Sequence, residues 1–177
     1  MSNRIKRSRP LACLALGALC AALLSGCGFH LRGTQSTAWP ASIPDVRVLR
    51  ADGSGAYDPL VIEMEQALRA QAKVTIVETG DVPQLVLFGE REESRVLSVG
   101  SDGYVSEYLL RYEASFKFVG ADGKELVKTQ TIRLMRAYSF DPRSVLAKER
   151  EAAELRNAMR RDAVQQILRR LSSSLSS

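Results

Sequence analysis

Tyr104 to Val119 reads YVSEYLLRYEASFKFV, and its alternation decides the fold. Tyr104, Tyr108, Leu110, Tyr112, Ala114, Phe116 and Phe118 fall on one side of an extended chain, interrupted only by Ser106. Glu107, Arg111, Glu113, Ser115 and Lys117 fall mostly on the other. A period of two with one apolar face is the pattern of a strand that covers a core on one side only. On the N-terminal side, Ser101-Asp102-Gly103 supplies the positive φ that a tight hairpin turn needs, and Gln84 to Val99 alternates more loosely around Glu90-Arg91-Glu92-Glu93. On the C-terminal side, Asp122-Gly123 makes a second such turn and Glu125 to Tyr138 returns. These segments predict a meander of three long antiparallel strands.

Further out, Val46 to Leu49 and Val74 to Val77 are short strands flanking a helix. That helix opens at Asp58-Pro59, an N-cap followed by proline at the first helical position, and runs to about Ala72. Asp141-Pro142 repeats the opening. A second helix of about seven turns then runs towards Leu171, with Leu155, Met159, Ala163, Ile167 and Leu171 as its stripe. The expected fold is a two-layer α+β sandwich: a four- to five-stranded, largely antiparallel (mixed) sheet with two helices on one face, in one domain over residues 45–171. Residues 172–177, rich in serine, are expected to fray as a flexible tail. How the two early strands join the long ones stays open.

The N-terminus is of another kind. Arg4, Lys6, Arg7 and Arg9 precede an apolar run from Leu11 to Leu24, about the length of a signal core and short for a membrane span. It ends in Leu24-Ser25-Gly26-Cys27: a branched apolar residue, two small ones, and the cysteine at which bacterial lipoproteins are acylated. Residues 1–26 are therefore expected to be removed. Cys27 should carry diacylglycerol and an N-acyl chain, and residues 27–44 should form a tether. Several acyl chains anchor stably where one is marginal. Gly28 in place of Asp favours the outer membrane, with the anchor in its periplasmic leaflet. Cys13 and Cys20 leave with the leader, so the mature body must fold without disulfides.

The leader also distorts the charge. It holds four of the 25 basic residues and none of the 20 acids, so the mature chain is nearly neutral and a nucleic-acid role is not implied. The halves differ, however: residues 128–177 hold eleven basic and five acidic residues, and residues 27–127 hold ten and fifteen. The basic end fits either an anionic ligand or a solvated helix face.

Little here can do catalysis. His30, the one histidine, lies beside the lipid site without partners for a triad or a metal site. Glu92 and Glu93 point to opposite sheet faces, and no acids fall at metal-ligand spacing. Gly53-x-Gly55 with Glu78 mimics a dinucleotide fingerprint, but Asp58 replaces its third glycine and would repel a pyrophosphate. No enzyme, metal or dissociable cofactor is implied. Arg91 and Arg95 share one face of their strand; Arg133 and Arg136 lie on opposite faces of theirs, with Lys128 on the side of Arg136. Such ladders more often guard sheet edges than bind ligands.

Cys27-Gly28-Phe29-His30-Leu31-Arg32-Gly33 resembles the opening of the LptE family, the lipoprotein subunit of the lipopolysaccharide translocon. Glu107-Tyr108 after the Asp102-Gly103 turn, and Asp141-Pro142 followed by Val145-Leu146-Ala147-Lys148, resemble it as well. The resemblance implies a plug inside an LptD-like outer-membrane β-barrel, which assists barrel assembly and binds lipopolysaccharide. It implies basic contacts near the hairpin tip and at the start of the second helix. Lys148 matches the second position, while Ser101-Asp102 occupies the tip. Lipid A phosphates favour Arg and Lys donors, so Lys148, Arg143 and Arg95 are the expected contacts; Lys148 as a solvated first-turn residue is the alternative. A phospholipid-transport lipoprotein with an acyl-chain cavity is the competing reading of the whole.

Overall fold

In the computed structural model, which describes residues 39–55 and 57–176, the 104–119 stretch becomes the fourth strand of a five-stranded mixed sheet. The expected leader, Cys27, His30 and the tether up to residue 38 lie outside the described residues. In chain order the elements are β1 (Asp45–Arg50), α1 (Pro59–Ala67), β2 (Thr75–Ile76), β3 (Gln84–Val99), β4 (Val105–Val119), β5 (Glu125–Ser139) and α2 (Val145–Leu175). The order across the sheet is β2-β1-β3-β4-β5. The three long strands form the expected antiparallel meander, and β1 lies parallel to both β2 and β3. The early strands thus belong to the same sheet as the hairpins.

One sheet face is buried. Val48 pairs with Leu85, Leu85 with Phe118, and Phe118 with Val127, so a row of apolar side chains crosses four strands. Both helices pack on it, with Leu60, Met64 and Leu68 from α1 and Met159, Ala163, Ile167 and Leu171 from α2, all shielded from solvent. Burying each large side chain contributes about 1.5–3 kcal/mol. The alternation of β4 appears as strict burial of Leu110, Tyr112, Ala114, Phe116 and Phe118. Tyr104 departs from it. It precedes the strand, at the hairpin turn, and is 65% exposed.

Both Asp-Pro openings act as N-caps. Asp58 Oδ1 accepts from the Leu60 and Val61 amides at 2.9 and 3.1 Å. Asp141 Oδ1 accepts from the Arg143 amide at 2.9 Å, but here the first turn, Pro142–Ser144, is a 3₁₀ turn leading into α2. The first helix reaches Ala72 as expected, although its last turn, Leu68–Ala72, widens to a π turn closed by left-handed Lys73 (φ 59°). That closure shortens the following strand, because the Val74 amide donates to Leu68 O and leaves the ladder to Thr75 and Ile76. The second helix outruns its expected end at Leu171 and covers most of the presumed tail. Ser172 is buried, and its hydroxyl donates back to Leu168 O at 3.0 Å, so serine here extends the helix.

Strand β3 contains the feature that shapes both sheet faces. Phe88 pairs with Ser115, but the next pair is Arg91 with Glu113, so one extra residue is inserted at Gly89, whose φ is +62°. Such a bulge inverts the alternation. Before it, Leu85 and Leu87 face the helices; after it, Glu90 and Glu92 do, and Arg91, Glu93 and Arg95 face away.

Candidate functional site

The far ends of the long strands carry the residues that the sequence brought forward. At the β3–β4 turn, Gly100 N donates to Tyr104 O at 2.7 Å, Gly103 has φ +80°, and Asp102 Oδ1 accepts from the Tyr104 amide at 3.1 Å. The Phe140 amide donates to Ser106 O at 2.8 Å, which draws the lead into α2 alongside this turn. Tyr108 stacks on Tyr138 at 5.7 Å and meets Phe140 edge-on at 5.3 Å, stiffening the strands where they outrun the core. The result is an open cleft of about 440 Å³ lined by Asp102, Tyr104, Asp141, Pro142 and Arg143.

Of the three expected contacts, Arg143 lines this cleft, and its guanidinium has no ion pair among the described residues. Lys148 lies one turn into α2. Its Nζ sits 2.8 Å from Glu151 Oε2 and 3.3 Å from Ser139 Oγ, and its side chain is only 19% exposed. Its charge is already partly matched. Arg95 projects from the opposite sheet face, paired in register with Leu109, and makes no ion pair or side-chain hydrogen bond among the described residues. The cleft therefore brings together Asp102, Asp141 and Arg143; Lys148, on Ser139 and Glu151, is not among its lining residues, and Arg95 lies apart. At the start of α2 Leu146 is 74% exposed and Val145 is exposed, as is Val99 at the end of β3, so this part of the chain shows apolar groups as well as the guanidinium and two carboxylates of the cleft.

A second charged cluster escaped the sequence reading. Glu90, turned inward by the bulge, accepts from Arg50 Nη1 at 3.0 Å, from the Tyr112 hydroxyl at 2.6 Å and from Arg160 Nε at 3.4 Å. Arg160 Nη2 reaches Glu92 Oε1 at 3.0 Å, and Arg156 approaches Glu92 at 3.9 Å. Arg50 Nε lies 3.4 Å from the helix cap Asp58, in ion-pair range without hydrogen-bond geometry. The signals were the glycine within a strand pattern, the Glu-rich run after it, and Arg156 and Arg160 one turn apart.

Around Glu90 and Tyr112 this cluster is chemically closed. Burial, and then the hydrogen bond to Glu90, raise the Tyr112 pKa well above its ordinary range. Burial opposes the charge of Arg160, but Glu90, Tyr112 and Glu92 outweigh it and raise its pKa. Tyr112 is 1% exposed, so no substrate reaches its hydroxyl. Groups held so firmly in one protonation state make a poor acid–base pair near neutral pH. The cluster clamps elements together. Among the described residues no group of three or more His, Cys, Asp or Glu is placed to hold a metal ion, and no helix is long and apolar enough to cross a membrane.

A family model described as LptE, lipopolysaccharide-assembly, matches residues 46–171. LPS-assembly lipoprotein LptE of Yersinia enterocolitica is 34% identical over 163 residues, covering 89% of this chain and 73% of that one. The protein of the same name from Photorhabdus laumondii is 34% identical over 160 residues, covering 89% and 83%. Among solved structures, the rare lipoprotein B of Shewanella oneidensis superposes with a TM-score of 0.64 at 34% identity, over 73% of this chain and 95% of that one. The solution structure of an uncharacterized lipoprotein B from Nitrosomonas europaea gives 0.69 at 29% identity, over 85% and 94%.

Glu63 on α1 offers a test of the electrostatics beside the clamp. Burial, its largest influence, raises its pKa above the ordinary 4.5 against the pull of Arg160 and Arg161, and its Oε2 has no hydrogen-bond partner. A raised carboxyl pKa means that the folded chain binds the proton more tightly than the unfolded one. Stability on this account falls as pH rises from the ordinary value through the raised one. Glu63→Gln should therefore be more stable than the wild type at neutral pH, with the gain vanishing in acid below the ordinary value. Urea midpoints across that range check it, and a gain independent of pH would refute the assignment.

Proposed function

The chain belongs to the LptE family of lipopolysaccharide-assembly proteins, and from that premise we propose that it is the lipid-anchored plug of the outer-membrane lipopolysaccharide translocon. In this reading residues 1–26 are removed and Cys27 is acylated in the periplasmic leaflet. The body fills the lumen of an LptD-type β-barrel, assists its assembly, and contacts lipopolysaccharide on its way to the outer leaflet. It is a structural and binding subunit, not an enzyme.

The observation that carries the reading is the packed interior. One continuous cluster of buried side chains runs from Val46 in β1 to Leu171 in α2, with Tyr112, Phe116 and Phe118 as its largest fully buried members. A carrier of phospholipid needs an apolar chamber of acyl-chain size. A body filled in this way acts by its surface, as a plug does. A polar barrel lumen also suits long strands whose uncovered face is charged. At the far end, the unpaired guanidinium of Arg143 is the leading lipopolysaccharide contact. Lys148, shared with Glu151, comes second, and Arg95 on the other face is taken up below.

Mild detergent extraction of outer membranes should bring down the chain with a large β-barrel, its N-terminus an acylated Cys27. Recovery with bound phospholipid and no barrel would support the carrier reading instead. In binding of lipopolysaccharide by the purified protein, Arg143→Glu should weaken affinity about tenfold or more, the scale of a lost charge-assisted bond. Lys148→Glu should cost less, because its charge is already matched. Unchanged binding in Arg143→Glu would remove the cleft from the contact.

A further inference from the structure

The sheet face away from the helices carries a charge pattern that its own residues leave unfinished. Arg91 meets Glu93 at 3.5 Å, Arg133 meets Glu113 at 3.2 Å, and Lys117 meets Glu125 at 3.3 Å. Arg95 and Arg111 have no such partner among the described residues. Arg111 stands opposite Glu93 in register, but Glu93 is engaged by Arg91, while Arg95 stands opposite Leu109. Arg95 and Arg111 are thus diagonal neighbours on adjacent strands, roughly 7 Å apart at Cβ. Met135, cross-strand from Arg111, is 61% exposed, and Leu109 is half-buried beside them.

We infer that this patch docks against a protein wall that supplies carboxylates to Arg95 and Arg111. The assignment rests on the barrel reading above and identifies the face that meets the lumen. Arginine beside an exposed methionine matches the enrichment of Arg and Met at the centre of protein interfaces. Guanidinium forks match carboxylates in bidentate pairs, and the missing charge here is negative. A multiply charged phosphate fits less well, because Glu93 and Glu113 stand within the same patch and repel it. Among the described residues the helices pack on the other face, and the strands carry this ladder along most of their length.

The test uses the full acylated chain expressed in its own outer membrane, extracted in mild detergent, with the captured barrel identified by mass. Arg95→Glu/Arg111→Glu should reduce barrel capture about tenfold or more, as expected for reversed charge at a desolvated pair. Arg95→Gln/Arg111→Gln should reduce it less, with the thermal midpoint kept in both, since neither side chain has an ion-pair partner among the described residues. Arg150→Glu/Arg169→Glu, an equal change of charge at exposed positions on α2, should leave capture unchanged. Full capture by the Arg95→Glu/Arg111→Glu variant overturns the inference and leaves the plug reading intact. So does equal loss in the α2 control, or lost lipopolysaccharide binding with capture retained. Failure of the wild type to bring down any barrel overturns both.

Discussion

Much of the architecture depends on one inward-facing carboxylate. Glu90 is held by Arg50 from β1, Tyr112 from β4 and Arg160 from α2, so a single side chain ties three elements to β3. It reaches them only because the bulge at Gly89 inverts the strand. With regular alternation Arg91 would face the helices, beside Tyr112 and opposite Arg160, placing two guanidiniums together without a counter-charge. An ion pair of this kind adds little net stability over apolar packing, because its members lose hydration; removing one partner is what costs heavily. Its value here is directional. The apolar row from Val48 to Val127 would tolerate some sliding of α2 along the sheet, whereas Arg160 and Arg156 on Glu90 and Glu92 set its position.

The same bulge divides the molecule into two chemistries. On one face the sheet is closed by helices over a buried core, and Glu90, Tyr112 and Arg160 at the centre of the clamp are largely shielded from solvent. On the other, alternate residues of β3, β4 and β5 form a charged ladder with two guanidiniums left over. The strands then continue past the core to an end where Arg143 lines an open cleft beside exposed apolar groups. A body so made has its function on its surface, and the family to which it belongs assembles lipopolysaccharide. The cleft end sets one guanidinium among apolar groups and two carboxylates, Asp102 and Asp141, while the other sheet face sets its arginines among apolar and acidic side chains.

Local chemistry made much of this readable in advance. Alternation in residues 104–119, the Asp-Gly turns, the Asp-Pro caps and the stripe of α2 each report on contacts within a few residues, and each reappears in the structure. What could not be read was non-local. Placement of β1 between β2 and β3 is a choice among strands far apart in sequence. Gly89 alone suggests a bulge but does not say that the side chains from Glu90 to Val96 change face, nor that a second shift before Ser98 turns the strand back. The site suffered for the same reason. Arg143, Lys148 and Arg95 share a charge, yet Glu151 engages one and the bulge sends another to the far side. Sequence spacing carries no information about either event.

The clamp is tested most directly by a double-mutant cycle in urea, with Glu90→Ala, Arg160→Ala and the pair together. Glu90 and Arg160 are in contact within one network, so a coupling of about 1–3 kcal/mol is expected, each single change being costly and the second adding little to the first. Free energies that add to within about 0.3 kcal/mol would show that the two residues do not act on each other. The claim that this carboxylate positions α2 on the sheet would then be contradicted.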